Sequence, residues 1–426
     1  MRGFTKLLVL LIVSAAFAGC GPSAASLAAA RRKAQIAARE KAARHTKALN
    51  DAGLRYYWKC DQLADLLAPG ERIARTWLLD ENLYCLTSAN RLMAIEAAKG
   101  TLRWGKWVYV AKPGDTVFEP THVNDISITR LTPTRKEVLQ PREGADRGVP
   151  GVDLVIISTR TNALVIDRAT GDEIRNINYN FGASATAGVC CDGRLVFVPD
   201  SRGWYHAIFL HEMVHSWTLS VEGAIKVPPR YIVDKVIVAS QAGQVQVANT
   251  YEARKVVWTR TLEAGIEAPI LATAAHLLVP CMDRRLYAFD TVTGQKLWEP
   301  YDCAKPLVDV PQLSDVTVFQ YAQGGDFHAL GLVSGKLRWT LPNARTVLAA
   351  MDKNVYLQSD ENQILQVDEI LGEVNASIRM PAGDMLTANT SAPAIYGATP
   401  KGRLYCIRAI SAGHLTAEML KKKLKK

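Results

Sequence analysis

The stretch Arg285-Leu-Tyr-Ala-Phe-Asp-Thr-Val-Thr-Gly-Gln-Lys-Leu-Trp298 alternates in its first half as a half-buried strand does. Asp290 and Thr293-Gly294 then predict a tight reversal, because an Asp carboxylate accepts hydrogen bonds from its own turn amides and Gly reaches positive φ cheaply. A second strand follows and ends on Trp298. The unit is a β-hairpin of fixed length, with the small residue Ala288 and Trp298 ten positions apart.

The same spacing joins Ala94 to Trp104, Ala207 to Trp217, Ala248 to Trp258 and Ala329 to Trp339. Two more copies keep the length and put Arg175 or Ala376 in the Trp position, and an eighth beginning, Arg403-Leu-Tyr-Cys-Ile407, has no second half. Successive anchors (Ala94, Val165, Ala207, Ala248, Ala288, Ala329, Gln366, Cys406) are 71, 42, 41, 40, 41, 37 and 40 residues apart. A period of roughly 40–45 residues with four strands per unit is that of a radial β-propeller. The expected fold is all-β, an eight-bladed propeller of four-stranded antiparallel blades over residues 53–410. Its first unit parses as strands at 75–79, 82–87, 91–96 and 102–108.

Leu54-Arg-Tyr-Tyr-Trp58 is similar to Leu102-Arg-Trp104 and Leu337-Arg-Trp339, so the N-terminal strand is predicted to complete the last blade. Closing the ring in this way removes an exposed sheet edge. The 71-residue step carries about 30 residues too many for one unit, too few for another blade. The excess is placed as an insertion in blade 2, at about residues 124–150, with Arg130, Arg135, Lys136, Arg142 and Arg147. A loop of that length is either a partner contact or a decoration.

The pattern small-x-Asp-x-x-Thr-Gly-x-x-x-Trp, best matched by Ala288, Asp290, Thr293, Gly294 and Trp298, resembles the tryptophan-docking repeat of the pyrroloquinoline-quinone-type propellers. Among these, a lipid-anchored chain of this size is similar to the family of outer-membrane protein assembly factor BamB lipoproteins. The resemblance covers residues 53–410. It implies a non-catalytic scaffold that presents loops to a central membrane-inserted assembly protein and helps β-barrel substrates reach it. Trp58, Trp104, Trp217, Trp258, Trp298 and Trp339 are then structural docking residues, wedged between blades. No loop matches a family motif that would assign partner-binding residues.

Ahead of the repeats, Arg2 and Lys6 precede an apolar core at 7–13 and Phe17-Ala-Gly-Cys20. The run is too short to span a bilayer and reads as an export signal, residues 1–19. The small residues before Cys20 resemble a bacterial lipoprotein box, which implies cleavage and acylation at Cys20; Phe17 departs from the usual Leu. Gly21 in place of Asp implies the outer membrane. Residues 20–52 are rich in Ala, Lys and Arg and are expected to form a solvated helical tether.

Residues 1–52 hold nine Lys and Arg against two acids, and the last six residues hold five Lys. Removing that net +12 from the whole chain's +10 leaves −2 on residues 53–420, so the body is nearly neutral and no nucleic-acid partner is expected without a basic patch on the fold itself. Residues 411–426 form a basic tail.

Two motifs carry possible chemistry. His211-Glu212-Met213-Val214-His215 matches the zincin helix motif, in which two His one turn apart bind zinc and Glu activates water. Ala207 and Trp217 stand in repeat register, however, so the segment should be the hairpin of the third unit. Cys190-Cys191 is similar to the vicinal disulfide of quinone-dependent alcohol dehydrogenases, but the calcium ligands and catalytic Asp of those enzymes have no match. Besides Cys20 the chain has seven Cys, an odd number whose pairing the spacing leaves open. No cofactor or metal is expected. The alternatives are a quinone- or metal-dependent envelope enzyme and a cell-wall or envelope ligand-binding module.

Overall fold

A computed structural model describes residues 24–123, 153–252 and 254–421. The export signal, Cys20 and the 124–150 insertion lie outside the described residues. Two compact units are present, Met1–Lys47 and Ala48–Lys426. Ala24–Asp51 is a helix, as its content of Ala, Lys and Arg favours, and its described side chains from Ala28 to Arg44 face solvent. No described helix is long and apolar enough to cross a membrane.

The second unit is an eight-bladed propeller. Its eight sheets each have four antiparallel strands in sequential order, apart from the last. The fifth blade shows the common plan: Leu271–Ala272, His276–Pro280, Arg285–Asp290 and Lys296–Asp302. The last blade takes three strands from the end of the chain, Met385–Thr387, Ile395–Ala398 and Leu404–Ala409, and its outer strand from the beginning, Leu54–Cys60. Leu54 pairs with Ala409, Trp58 with Cys406 and Cys60 with Leu404. The N-terminal strand therefore closes the ring, as the repeat register predicts.

Sheet position explains the sequence pattern. Second strands such as Leu154–Ser158, Leu195–Pro199 and Thr317–Tyr321 are buried throughout, because sheets cover both of their faces. They read accordingly as continuous apolar runs. Outer strands are mostly solvated: in Val256–Thr261 the buried residue is Trp258.

One strand departs from expectation. The outer strand of blade 1, expected over 102–108, is reduced to Val108–Tyr109 and an isolated bridge between Ile95 and Leu102. The chain leaves the ladder after Trp104, which is fully buried, and the Trp107 indole N–H donates to Leu66 O (3.2 Å) instead of following the sheet.

Candidate functional site

In blades 1 to 7 the turn that follows the third strand holds one residue at positive φ: Gly100, Gly171, Met213, Arg254, Gly294, Gly335 and Gly372. Asp side chains brace several of these turns. Asp290 Oδ1 accepts from the Val292 and Thr293 amides (3.1 and 2.7 Å), and Asp167 and Asp368 do the same in blades 2 and 7. Those amide bonds hold the Asp290 and Asp368 carboxyls below the usual carboxylate range.

The Trp of one blade docks on the turn of the next. The indole N–H donates to a carbonyl at the head of that turn: Trp58 to Ala97 O (3.0 Å), Trp104 to Arg168 O (3.0 Å), Trp258 to Thr291 O (3.2 Å), Trp298 to Leu332 O (3.3 Å) and Trp339 to Glu369 O (2.9 Å). The ring lies flush on the turn glycine. A Cβ built on Gly335 would stand 2.3 Å from Trp298, and one on Gly372 would stand 2.4 Å from Trp339. Indole and glycine are thus two halves of one joint.

Three seams are built differently. Between blades 3 and 4, Trp217 is buried, but Arg254 replaces the glycine and Arg194 Nη2 takes the Thr250 carbonyl (2.9 Å). Between blades 7 and 8, Ala376 offers no wedge, and the apolar cluster of Leu49, Leu54, Tyr356, Ile378, Tyr405 and Ile407 fills the space. The seam between blades 2 and 3 departs at every position: Arg175 for the Trp, Phe209 for the Asp and Met213, at φ 57°, for the Gly. A groove of about 540 Å³ remains there, lined by Glu173, Ile174, Arg175, Asn176, His211 and Met213. Clustered departures from a repeat's own rule are where function is to be sought.

The zincin-like motif is part of this seam. Residues 210–214 form the turn between strands Trp204–Phe209 and His215–Ser220, with His211 and His215 exposed and Met213 N donating to Phe209 O (2.9 Å). The helix that would bring both imidazoles onto one metal is not formed. Among the described residues no cluster of three or more His, Cys, Asp or Glu is placed to hold a metal.

Behind that turn a polar chain runs through blade 3. Asp200 Oδ2 faces His206 Nε2 (3.2 Å), His206 Nδ1 faces Thr218 Oγ1 (3.1 Å), and Thr218 Oγ1 faces His215 Nε2 (2.7 Å). An acid, an imidazole and a hydroxyl in line resemble a nucleophilic relay. Two guanidinium bonds from Arg202 neutralise Asp200 (2.9 and 2.7 Å), and Phe181 stacks on His206 at 3.8 Å, so the group is a satisfied structural network.

Cys190–Cys191 is a two-residue strand on the axial side of blade 3, both thiols buried and unpaired. All seven described cysteines are free and buried.

The two faces of the propeller differ in chemistry. In a four-stranded meander the first-to-second and third-to-fourth turns share one face. On it stand Met213 and Val214, Val233, Val292, Val316 and Val333, and Ile370 and Leu371, all exposed, with Val333 at 87% and Leu371 at 66%. Turns on the opposite face are polar, as in Asp200-Ser201-Arg202-Gly203 and Asp360-Glu361-Asn362. Exposed large apolar side chains are fewer on that face: Met282 on a turn, and Leu66 and Val308 on connections between blades.

Residues 215–314 match the family model described as outer membrane protein assembly factor BamB. The crystal structure of BamB from Moraxella catarrhalis is similar in fold, with a TM-score of 0.61 at 14% identity, covering 85% of this chain and 99% of that one. The computationally designed Ika8 protein is also similar, with a TM-score of 0.58 at 12% identity over 79% of this chain and 96% of that one. No curated protein matches the sequence.

Proposed function

We propose, from the premise that this chain is a pyrroloquinoline-quinone-type propeller resembling BamB, that it is a non-catalytic scaffold of the cell envelope, lipid-anchored through Cys20 and facing the periplasm from the outer membrane. The observation that carries the reading is the family-model match over residues 215–314, which includes the exposed aliphatic tips Val233 and Val292. Exposed apolar patches on a folded domain mark protein-binding surfaces, and rigid blades present them without an ordering cost. Its partners are envelope proteins, with a β-barrel assembly machine foremost, and no cofactor is needed. Residues 20–52 serve as the tether.

The test is photo-crosslinking of the full chain in its native membranes, with the reactive group placed at Val333 or Leu371. Capture of a membrane-inserted barrel assembly protein is expected, and Cys20→Ala should release the chain from the membrane fraction. Capture of peptidoglycan alone would overturn the reading in favour of a cell-wall module.

A further inference from the structure

We infer that the seam between the second and third blades is a seat for an aromatic side chain delivered by an extended polypeptide, docking there as the molecule's own indoles dock at the neighbouring seams. The inference rests on the scaffold reading and names the segment such a scaffold would hold.

The frame of the joint is intact. Val165 pairs with Arg175 in the register that places Trp298 opposite Ala288, and the turn bond from Met213 N to Phe209 O is made at 2.9 Å. What differs is the tenant. At six seams an indole fills this position, five of them bonded to the next turn, whereas here Arg175 leaves a groove of about 540 Å³ open to solvent.

The walls suit an aromatic ring. Arg175 is held flat by bonds from Nη1 to Ile174 O (3.0 Å) and from Nε to His211 O (3.5 Å), and a fixed guanidinium stacks on aromatic faces. Met213, 46% exposed, brings a thioether that favours ring edges, and Ile174 adds apolar surface. Glu173, exposed, offers a carboxylate acceptor for an indole N–H or a phenol O–H. An aliphatic tenant would cover the guanidinium without returning anything for its lost water.

The groove also adjoins a strand edge that pairs with no other strand among the described residues. Glu173–Asn178 is the outer strand of blade 2, so an extended segment can add alongside while its ring enters the seam.

The experiment titrates the full chain with heptapeptides of alternating Thr that carry Trp, Leu or Ala at the centre, read by calorimetry. The Trp peptide should bind about tenfold more tightly than the Leu peptide. Arg175→Trp/Met213→Gly rebuilds the internal joint and should abolish that binding with the melting temperature held or raised. If this double variant does not fold, Met213→Asp, on an exposed turn, should remove the Trp preference in a folded chain. Equal affinity for Trp and Leu peptides, no binding of either, or undiminished binding to a folded variant each overturns the seat. A chain that crosslinks to the assembly protein yet ignores the Trp peptide loses the seat and keeps the scaffold.

Discussion

At the scale of the residue, the joint between an indole and a glycine sets the cost of change. Gly324 and Gly335 share positive φ (68° and 63°), but a Cβ meets nothing within 4 Å at Gly324 and stands 2.3 Å from Trp298 at Gly335. Gly324→Ala should therefore cost about 1–2 kcal/mol from backbone strain alone. Gly335→Ala should cost about 1–3 kcal/mol more from overpacking, measured by urea denaturation. Equal losses would mean that the indole moves aside freely.

Glu71 supplies a pH signature. Burial opposes its ionisation, but hydrogen bonds from Arg91, Thr87 and the Ala68 amide outweigh it and hold the carboxyl down at about 2. A depressed folded pKa stabilises above the ordinary carboxylate range, and that stabilisation is lost as pH falls from near 4.5 through 2. Glu71→Gln should destabilise by at most about 3 kcal/mol at pH 7 and converge on the parent near pH 2. Burial likewise pushes the Cys281 thiol up to about 11 and Cys303 to about 12. Ellman's reagent at pH 8 should consume none of the seven described thiols in the native protein and all of them in guanidinium; a shortfall after unfolding would reveal a disulfide.

At the scale of the element, what was legible was what repeats. Asp290, Gly294 and Trp298 recur at fixed spacing because one backbone turn and one interblade gap recur, and the sequence must satisfy both each time. Leu54-Arg-Tyr-Tyr-Trp58 was readable as an outer strand for the same reason. The groove was not. Arg175 stood out as a departure, but Phe209 and Met213, its neighbours across the seam, lie more than thirty residues on, and their spacing invited a zinc motif instead. The outer strand of blade 1 escaped because Trp104 keeps its docking position while the ladder around it gives way.

A prediction belongs to this scale too. Trp104→Ala, at a fully buried joint, should cost about 3–5 kcal/mol, and Trp58→Ala, at a half-buried one, should fall at or below the low end of that range. Thermal melts of the two variants decide the order.

At the scale of the whole molecule, one sheet is built from both ends of the chain. Residues 54–60 find residues 404–409 only after the intervening repeats are in place, so the last step of folding is long-range and slow. A chain lacking residues 54–60 should leave blade 8 with three strands and an open edge, and should show a broadened melt and association on size-exclusion chromatography. A sharp, unshifted transition would mean that the ring does not depend on its clasp.

The clasp also lies next to the leash. Two residues separate the helix ending at Asp51 from the strand beginning at Leu54. Six registered pairs, Leu54–Cys60 with Leu404–Ala409, begin directly after that junction. Any load carried by the chain ahead of Leu54 therefore meets first the strand on which closure of the ring depends.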